Sequence, residues 1–374
     1  MKTAWRDCDI SDLCQLQRGF DITEATRKPG DVPVYSSSGL SYFHNEAKLQ
    51  PPSVITGRKG ILGKVFYVQE PCWPHDTTLW VKDFKGNDPR FVWIFLGEFK
   101  LERFDAATSV PTLNRNNLVG IPIVLPAPPE QRIIAEVLSD VDGLLDALDR
   151  LISKKRDLKQ AAMQQLLSGK TRLPGFQGEW SVAALRQIVA VPITDGPHLT
   201  PKFLPTGIPF LSVNNLVENK LDFSSIRFIS EADHAEFSKK CKPKRGDILF
   251  GKAASVGMVA LIETDDELNI WSPLAMIRVG GRMHERFVYY ALQTSGIARQ
   301  IKLLTNASSQ GNIGMSDIGS LEIPVPPIPE QTAIAQVLSD MDAELATLEQ
   351  RRDKTRAIKQ GMMQELLTGK TRLV

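Results

Sequence analysis

The chain has 374 residues, enough for two or three ordinary domains, and its 42% apolar and 24% charged residues are the balance of a soluble globular protein. The formal charge is only +2, so nucleic-acid binding would have to rest on local basic patches rather than bulk charge. No apolar run approaches the roughly 18 residues of a membrane helix, the N-terminus lacks a signal-peptide core, and four scattered cysteines without a C-x-x-C pair indicate reduced thiols in a cytoplasmic setting.

The first block, 1–128, opens at Trp5 and is predicted to be mixed and strand-rich. Its most charged turn is Gly57-Arg58-Lys59-Gly60-Ile61-Leu62-Gly63-Lys64, directly after the apolar Val54-Ile55. Glycines let a backbone approach a phosphate, and Arg58, Lys59 and Lys64 supply charge or can meet guanine edges. A solvated hairpin tip with ordinary surface charge fits the same residues. The polar stretch around Thr108 and Ser109 is a second candidate contact, and equally a plain turn.

A long helix is predicted over 129–173. Pro129 suits its first position, Glu130 its positive end, Gly169 a left-handed stop, and Lys170 and Arg172 its negative end. The stretch recurs at 329–374: about 25 of 45 positions from 129 to 173 are identical 200 residues later. That is an internal repeat. Apolar residues fall at coiled-coil spacing, Ile134, Leu138, Val141, Leu145, Leu148 and Ile152 in the first copy, and Ile334, Leu338, Met341, Leu345 and Leu348 in the second. The seam weakens at Lys155 and Lys159, and at Arg352, Thr355 and Lys359. About 39 helical residues span roughly 58 Å. An amphipathic helix of that length needs a partner, and the other copy is the natural one.

The second block, 174–328, opens at Trp180 and aligns loosely with the first. Val32-Pro33-Val34-Tyr35-Ser36 resembles Ile208-Pro209-Phe210-Leu211-Ser212, Val54-Ile55-Thr56-Gly57-Arg58 resembles Ile248-Leu249-Phe250-Gly251-Lys252, and Phe91-Val92-Trp93 resembles Phe287-Val288-Tyr289. Candidate contacts here are the cations Lys244, Arg245 and Lys252, and the polar loops carrying Asp195, His198, Thr200, Asn214, Asn215, Ser309, Gln310 and Asn312. Asn, Gln and Ser can pair with base edges, although such loops also serve as plain turns.

Each repeated helix ends in Gly-Lys-Thr, the tail of a phosphate-binding loop. The first glycine of G-x-x-x-x-G-K-[ST] is absent, with Gln164 and Gln364 in its place, and the motif closes a helix instead of opening one. A helix cap with a basic turn is the better reading. Other enzyme signatures are also missing. There is no Asn/Asp/Ser-Pro-Pro-aromatic loop of an amino-methyltransferase, no dinucleotide fingerprint and no H-E-x-x-H. Asp88 with Glu98-Phe99-Lys100 resembles the acidic triplet of metal nucleases, but Phe91–Leu96 just before it looks helical and buried. No catalytic centre, metal or cofactor is expected.

These residues resemble the specificity subunits of type I restriction–modification enzymes. The likeness spans both halves: Pro-x-x-Glu-Gln entering a long helix, Leu-Ser-Asp within it, Leu-Leu-Ser/Thr-Gly-Lys-Thr-Arg-Leu leaving it, and variable blocks before each. It implies an α+β chain. Two mixed target recognition domains, 1–128 and 174–328, would be separated by conserved helices, 129–173 and 329–374, pairing as an antiparallel coiled coil with a pseudo-twofold repeat. It implies double-stranded DNA as partner, one recognition domain per half of a split target, and a spacer set by helix length. It also implies docking of two methyltransferase subunits, which a translocating nuclease subunit can join, and no catalysis by the chain itself. The recognition blocks are the variable part of that family, so base-contacting residues do not carry over. Because the two blocks differ, the target should be asymmetric.

Overall fold

A computed structural model describes residues 5–105, 109–306 and 312–373. Two compact units divide the chain: Met1–Arg150 with Glu349–Val374, and Leu151–Leu348. Each unit therefore holds one strand-rich block, the start of one long helix and the end of the other.

In the first unit, β1 (Arg6–Asp9) pairs antiparallel with β9 (Pro122–Leu125), which brings the ends of the block together and delivers the chain into the first long helix. A four-stranded antiparallel sheet runs β2 (Gln15–Arg18), β8 (Thr78–Asp83), β5 (Ser53–Gly57), β6 (Val65–Val68). A three-stranded sheet runs β4 (Gly39–His44), β3 (Val32–Ser36), β7 (Trp73–Pro74), with β3 and β7 parallel. Asp88 caps the helix Pro89–Glu98 by accepting from the Arg90 and Phe91 amides, and Pro89 in its first turn needs no partner. The first residue of the nuclease-like triplet is thus a structural cap, and Phe91, Val92, Phe95 and Leu96 are buried behind it. Ile134 and Leu138 from the first long helix join this core, together with Leu366 and Leu367 from the end of the second.

The second unit repeats the plan. β10 (Ser181–Ala184) pairs with β20 (Glu322–Val325). A four-stranded sheet runs β11 (Thr194–Asp195), β19 (Leu274–Ile277), β16 (Ile248–Gly251), β17 (Val259–Leu261). A three-stranded sheet runs β15 (Arg227–Ile229), β12 (Ile208–Leu211), β18 (Asn269–Ile270), and β13 (Leu216–Val217) and β14 (Lys220–Leu221) add a short hairpin. The loosely similar stretches of sequence fall on equivalent elements: β3 and β12, β5 and β16, and the buried helices Pro89–Glu98 and Glu285–Ala291. Met163, Leu166 and Leu167 from the end of the first long helix share the core with Ile334 and Leu338 from the start of the second.

The long helices are Pro128–Leu166 and Ile328–Leu366, 39 residues each. They begin one residue before Pro129 and Pro329, so those prolines take the second position, where an amide would still lack a helical partner. Ile134, Leu138, Leu145, Leu148, Ile152, Ile334, Leu338 and Leu345 are buried, and Val141, Met341 and Leu348 are half-buried. Where the apolar seam lapses, ion pairs replace it. In the first unit Lys359 meets Asp142 at 2.6 Å and Arg352 meets Asp149 at 3.6 Å. In the second, Lys159 meets Asp342 and Lys155 meets Glu344, each at 2.6 Å. Within each unit the numbers rise on one helix as they fall on the other, so the pairing is antiparallel. The chain is α+β, with two mixed domains on a repeated helical frame.

Candidate nucleic-acid interface

The repeated motifs join one copy to the other. In the first unit Arg372 donates from Nε and Nη2 to the two carboxylate oxygens of Glu130, at 2.7 Å each. The Trp5 indole N–H donates to the same carboxylate at 3.2 Å. In the second unit Arg172 meets Glu330 in the same way at 2.5 and 2.6 Å, and Trp180 donates at 3.0 Å. Both glutamates have no exposed surface. Burial alone would favour the neutral acid, but the hydrogen bonds from Arg372 and Trp5 outweigh it and hold the Glu130 carboxyl below its ordinary value. Gly169 and Gly369 take φ of 69° and 73°, and a Cβ there would stand 3.2 and 3.0 Å from the Trp180 and Trp5 rings. Gly-Lys-Thr-Arg is therefore a clasp. Arg172 was expected beside the negative end of its own helix; it bonds Glu330 instead, because a bidentate pair with a buried carboxylate is stronger than an exposed dipole contact.

The neighbouring glutamines fix each helix to its domain. Gln131 accepts from the Asp88 amide and donates to Asn87 and to the Pro126 carbonyl. Gln331 accepts from the His284 amide and donates to the Pro326 carbonyl. Asp88 and His284 are the cap residues of equivalent buried helices, so one side chain performs one task twice.

In the first domain the basic turn leaves β5 at Gly57, where a Cβ would sit 1.8 Å from the Ile61 carbonyl oxygen. Only glycine permits that approach. Arg58 donates from Nε to the Asp76 carbonyl at 2.9 Å, and its side chain is about one-fifth exposed. Lys59 and Lys64 are exposed, as is Ser109. Thr108 lies outside the described residues. A group of metal-ligand type, Asp21, His75 and Asp76, also occurs here. Asp76 already meets Arg18 at 2.9 Å and Arg58 at 3.8 Å, and two guanidinium groups at one carboxylate oppose a cation.

In the second domain Asp195 is buried at the end of β11 and receives Lys240 at 2.6 Å and Lys252 beside it. Burial works against its charge, but these two ammonium groups prevail and keep its carboxyl below the ordinary value. His198 stands 3.5 Å from Asp195 with most of its ring exposed. Thr200, Asn214 and Lys244 are exposed. Asn215 is buried; its amide accepts from the Ser212 backbone and donates to the Asp222 carbonyl. Arg245 pairs with Asp265 at 2.8 Å on the surface. Asn312 is exposed, while Ser309 and Gln310 lie outside the described residues. The two strand ends thus bring Arg58 and Lys252 to equivalent places, each held by a carboxylate. Sequence reading missed the carboxylate Asp76 and the second guanidinium on it, Arg18, because they come from separate strands and loops.

A family model described as the type I restriction modification DNA specificity domain matches residues 2–155 and 179–356. The MjaVIII specificity subunit of Methanocaldococcus jannaschii is 23% identical over 296 residues, covering 74% of this chain and 68% of its own. The EcoBI specificity subunit of Escherichia coli is 21% identical over 404 residues, covering 97% and 85%. The solved S subunit of a type I restriction–modification system from M. genitalium aligns over 98% of this chain and 96% of its own, at 16% identity and a TM-score of 0.66. At that identity the likeness concerns the fold.

Proposed function

The chain belongs to the type I restriction–modification DNA specificity family, and from that membership we propose that it reads a split, asymmetric target in double-stranded DNA. The domains at 1–128 and 174–328 each take one half-site, and the helices at 129–173 and 329–374 carry them. Two methyltransferase subunits dock on the chain and supply the chemistry in the cytoplasm, and a translocating nuclease subunit completes the assembly where one is encoded. Among the described residues no helix is long and apolar enough to cross a membrane.

One observation carries this reading. The same strand order occurs twice, β2-β8-β5-β6 and β11-β19-β16-β17, with unlike residues at equivalent strand ends. Two copies of one scaffold suit a duplex with two half-sites, and unlike contact residues suit unlike half-sites. The test is to co-express the chain with its cognate methyltransferase subunits and map methylated positions across the host DNA. A single motif with two different halves and a fixed gap is expected. An intact complex that methylates without sequence preference would overturn the reading.

A further inference from the structure

The first domain has a polar cavity of about 550 Å³ at the ends of β2 and β5. Gln17, Arg18, Arg58, Thr112, Asn114 and Arg115 line it, above Leu79. Three separate segments meet there and are tied together. The Arg58 carbonyl accepts from the Leu113 amide at 2.8 Å, and Arg115 donates to the Leu16 carbonyl at 3.3 Å. Asp76 holds Arg18 and Arg58 at once. Three guanidinium groups, those of Arg18, Arg58 and Arg115, border the pocket, with Asp76 between the first two and Asp21 close to Asp76. The Arg18 side chain remains 58% exposed, and Gln17 lines the same cavity.

Strand register identifies the matching place in the second domain. Arg18 lies opposite Leu79, whose other neighbour is Thr56, next to Gly57. Asp195 lies opposite Ala275, whose other neighbour is Phe250, next to Gly251. The Lys252 carbonyl accepts from the Ile313 amide at 3.0 Å, as the Arg58 carbonyl does from Leu113. Arg18 therefore corresponds to Asp195, Arg58 to Lys252, and Asn114 with Arg115 to Gly314 with Met315. At one position of a shared scaffold the charge is inverted. In the second domain the acid at this position is buried and binds Lys240 and Lys252; in the first the arginine at this position stays largely exposed.

We propose that this pocket is the base-reading site of the first domain and that Arg18, braced by Asp76, recognises a guanine edge in the major groove. The inference rests on the reading of the chain as a DNA specificity subunit. A braced guanidinium suits the O6 and N7 acceptors of guanine, and the Gln17 amide beside it suits an adjacent base edge. The inverted charge at Asp195 denies the second domain the same contact.

The experiment uses the chain with its methyltransferase subunits, comparing wild type with Arg18→Ala, Arg18→Lys and Gln17→Ala. Methylated motifs are mapped, and binding is measured on duplexes varied one base pair at a time. Arg18→Ala should lose roughly 10- to 100-fold discrimination at one G·C pair of one half-site, with the other half unchanged. Arg18→Lys should restore it poorly, since an ammonium cannot form the bidentate contact. Gln17→Ala should relax a neighbouring position in the same half. If Arg18→Lys restores full binding, or the variants weaken all sequences alike with the motif intact, Arg18 touches phosphate and the proposal fails. It fails too if Arg18→Lys and Gln17→Ala leave discrimination intact, whether or not Arg18→Ala folds. A wild-type complex without any split motif would instead sink the underlying reading.

Discussion

Arg372 reaches back 242 residues to Glu130 and bonds both oxygens of its carboxylate. The first unit therefore contains the turn that follows the second long helix, and the end of one repeat completes the core entered by the start of the other. Glu130→Gln should destabilise the first unit by about 3 kcal/mol, because it breaks a pair in which the acid is fully buried. Arg372→Met alone leaves that acid uncompensated, and pairing it with Glu130→Gln should recover part of the loss. A double-mutant cycle on denaturant midpoints checks this; strictly additive effects would mean that the two residues do not interact.

The same clasp sets an acid limit. The folded Glu130 carboxyl lies below its ordinary value of 4.5, and Asp195 lies below its ordinary 3.8. A depressed carboxyl contributes stability that is fully present above its unfolded pKa and disappears as pH falls through the folded one. These two groups should therefore leave the melting temperature unchanged between pH 7 and 5 and lower it below about pH 4.5. Glu130→Gln should melt lower at pH 7 and lose less on acidification. Parallel wild-type and variant curves down to pH 3 would show that Glu130 is not the group responsible.

Cores built from opposite helix ends predict local effects of large-to-small substitutions. Leu138 and Leu338 are both fully buried, one in each unit. Leu138→Ala should cost about 3 kcal/mol and lower hydrogen-exchange protection in the first unit, including Leu366 and Leu367 at the far end of the sequence. Leu338→Ala should do the same around Met163, Leu166 and Leu167. Protection lost only near the mutated residue in sequence would contradict the antiparallel pairing.

The helical frame was legible because its signal is periodic. Ile134, Leu138 and Leu145 mark a buried face by spacing alone, and a repeat offset of 200 residues marks its partner. Spacing cannot say which ends meet, so Arg172 was assigned to its own helix when its acid lies 158 residues away. Gly57-Arg58 and Gly251-Lys252 were legible as strand ends, since glycine after an apolar run signals a turn. Their pairings were not. Asp76 comes from the short loop before β8 and was not singled out; Asp195 was expected as a polar loop contact, but it sits on a strand of two residues, buried against Lys240 and Lys252. Asn215 looked like a free amide because burial by a neighbouring turn leaves no mark in a dipeptide.

Lys59 and Lys64 differ from Arg18 in what they can do. Both are exposed, and among the described residues neither is braced by a carboxylate as Arg18 is by Asp76. A flexible ammonium group without a fixed partner neutralises phosphate better than it reads a base. Replacing both with Ala should weaken binding to all DNA sequences alike. Each lost phosphate contact lowers the slope of log affinity against log salt by about 0.9, so the pair should lower it by roughly 1.8. The methylated motif should stay the same. A changed motif with an unchanged salt slope would transfer base reading from the braced arginines to this turn.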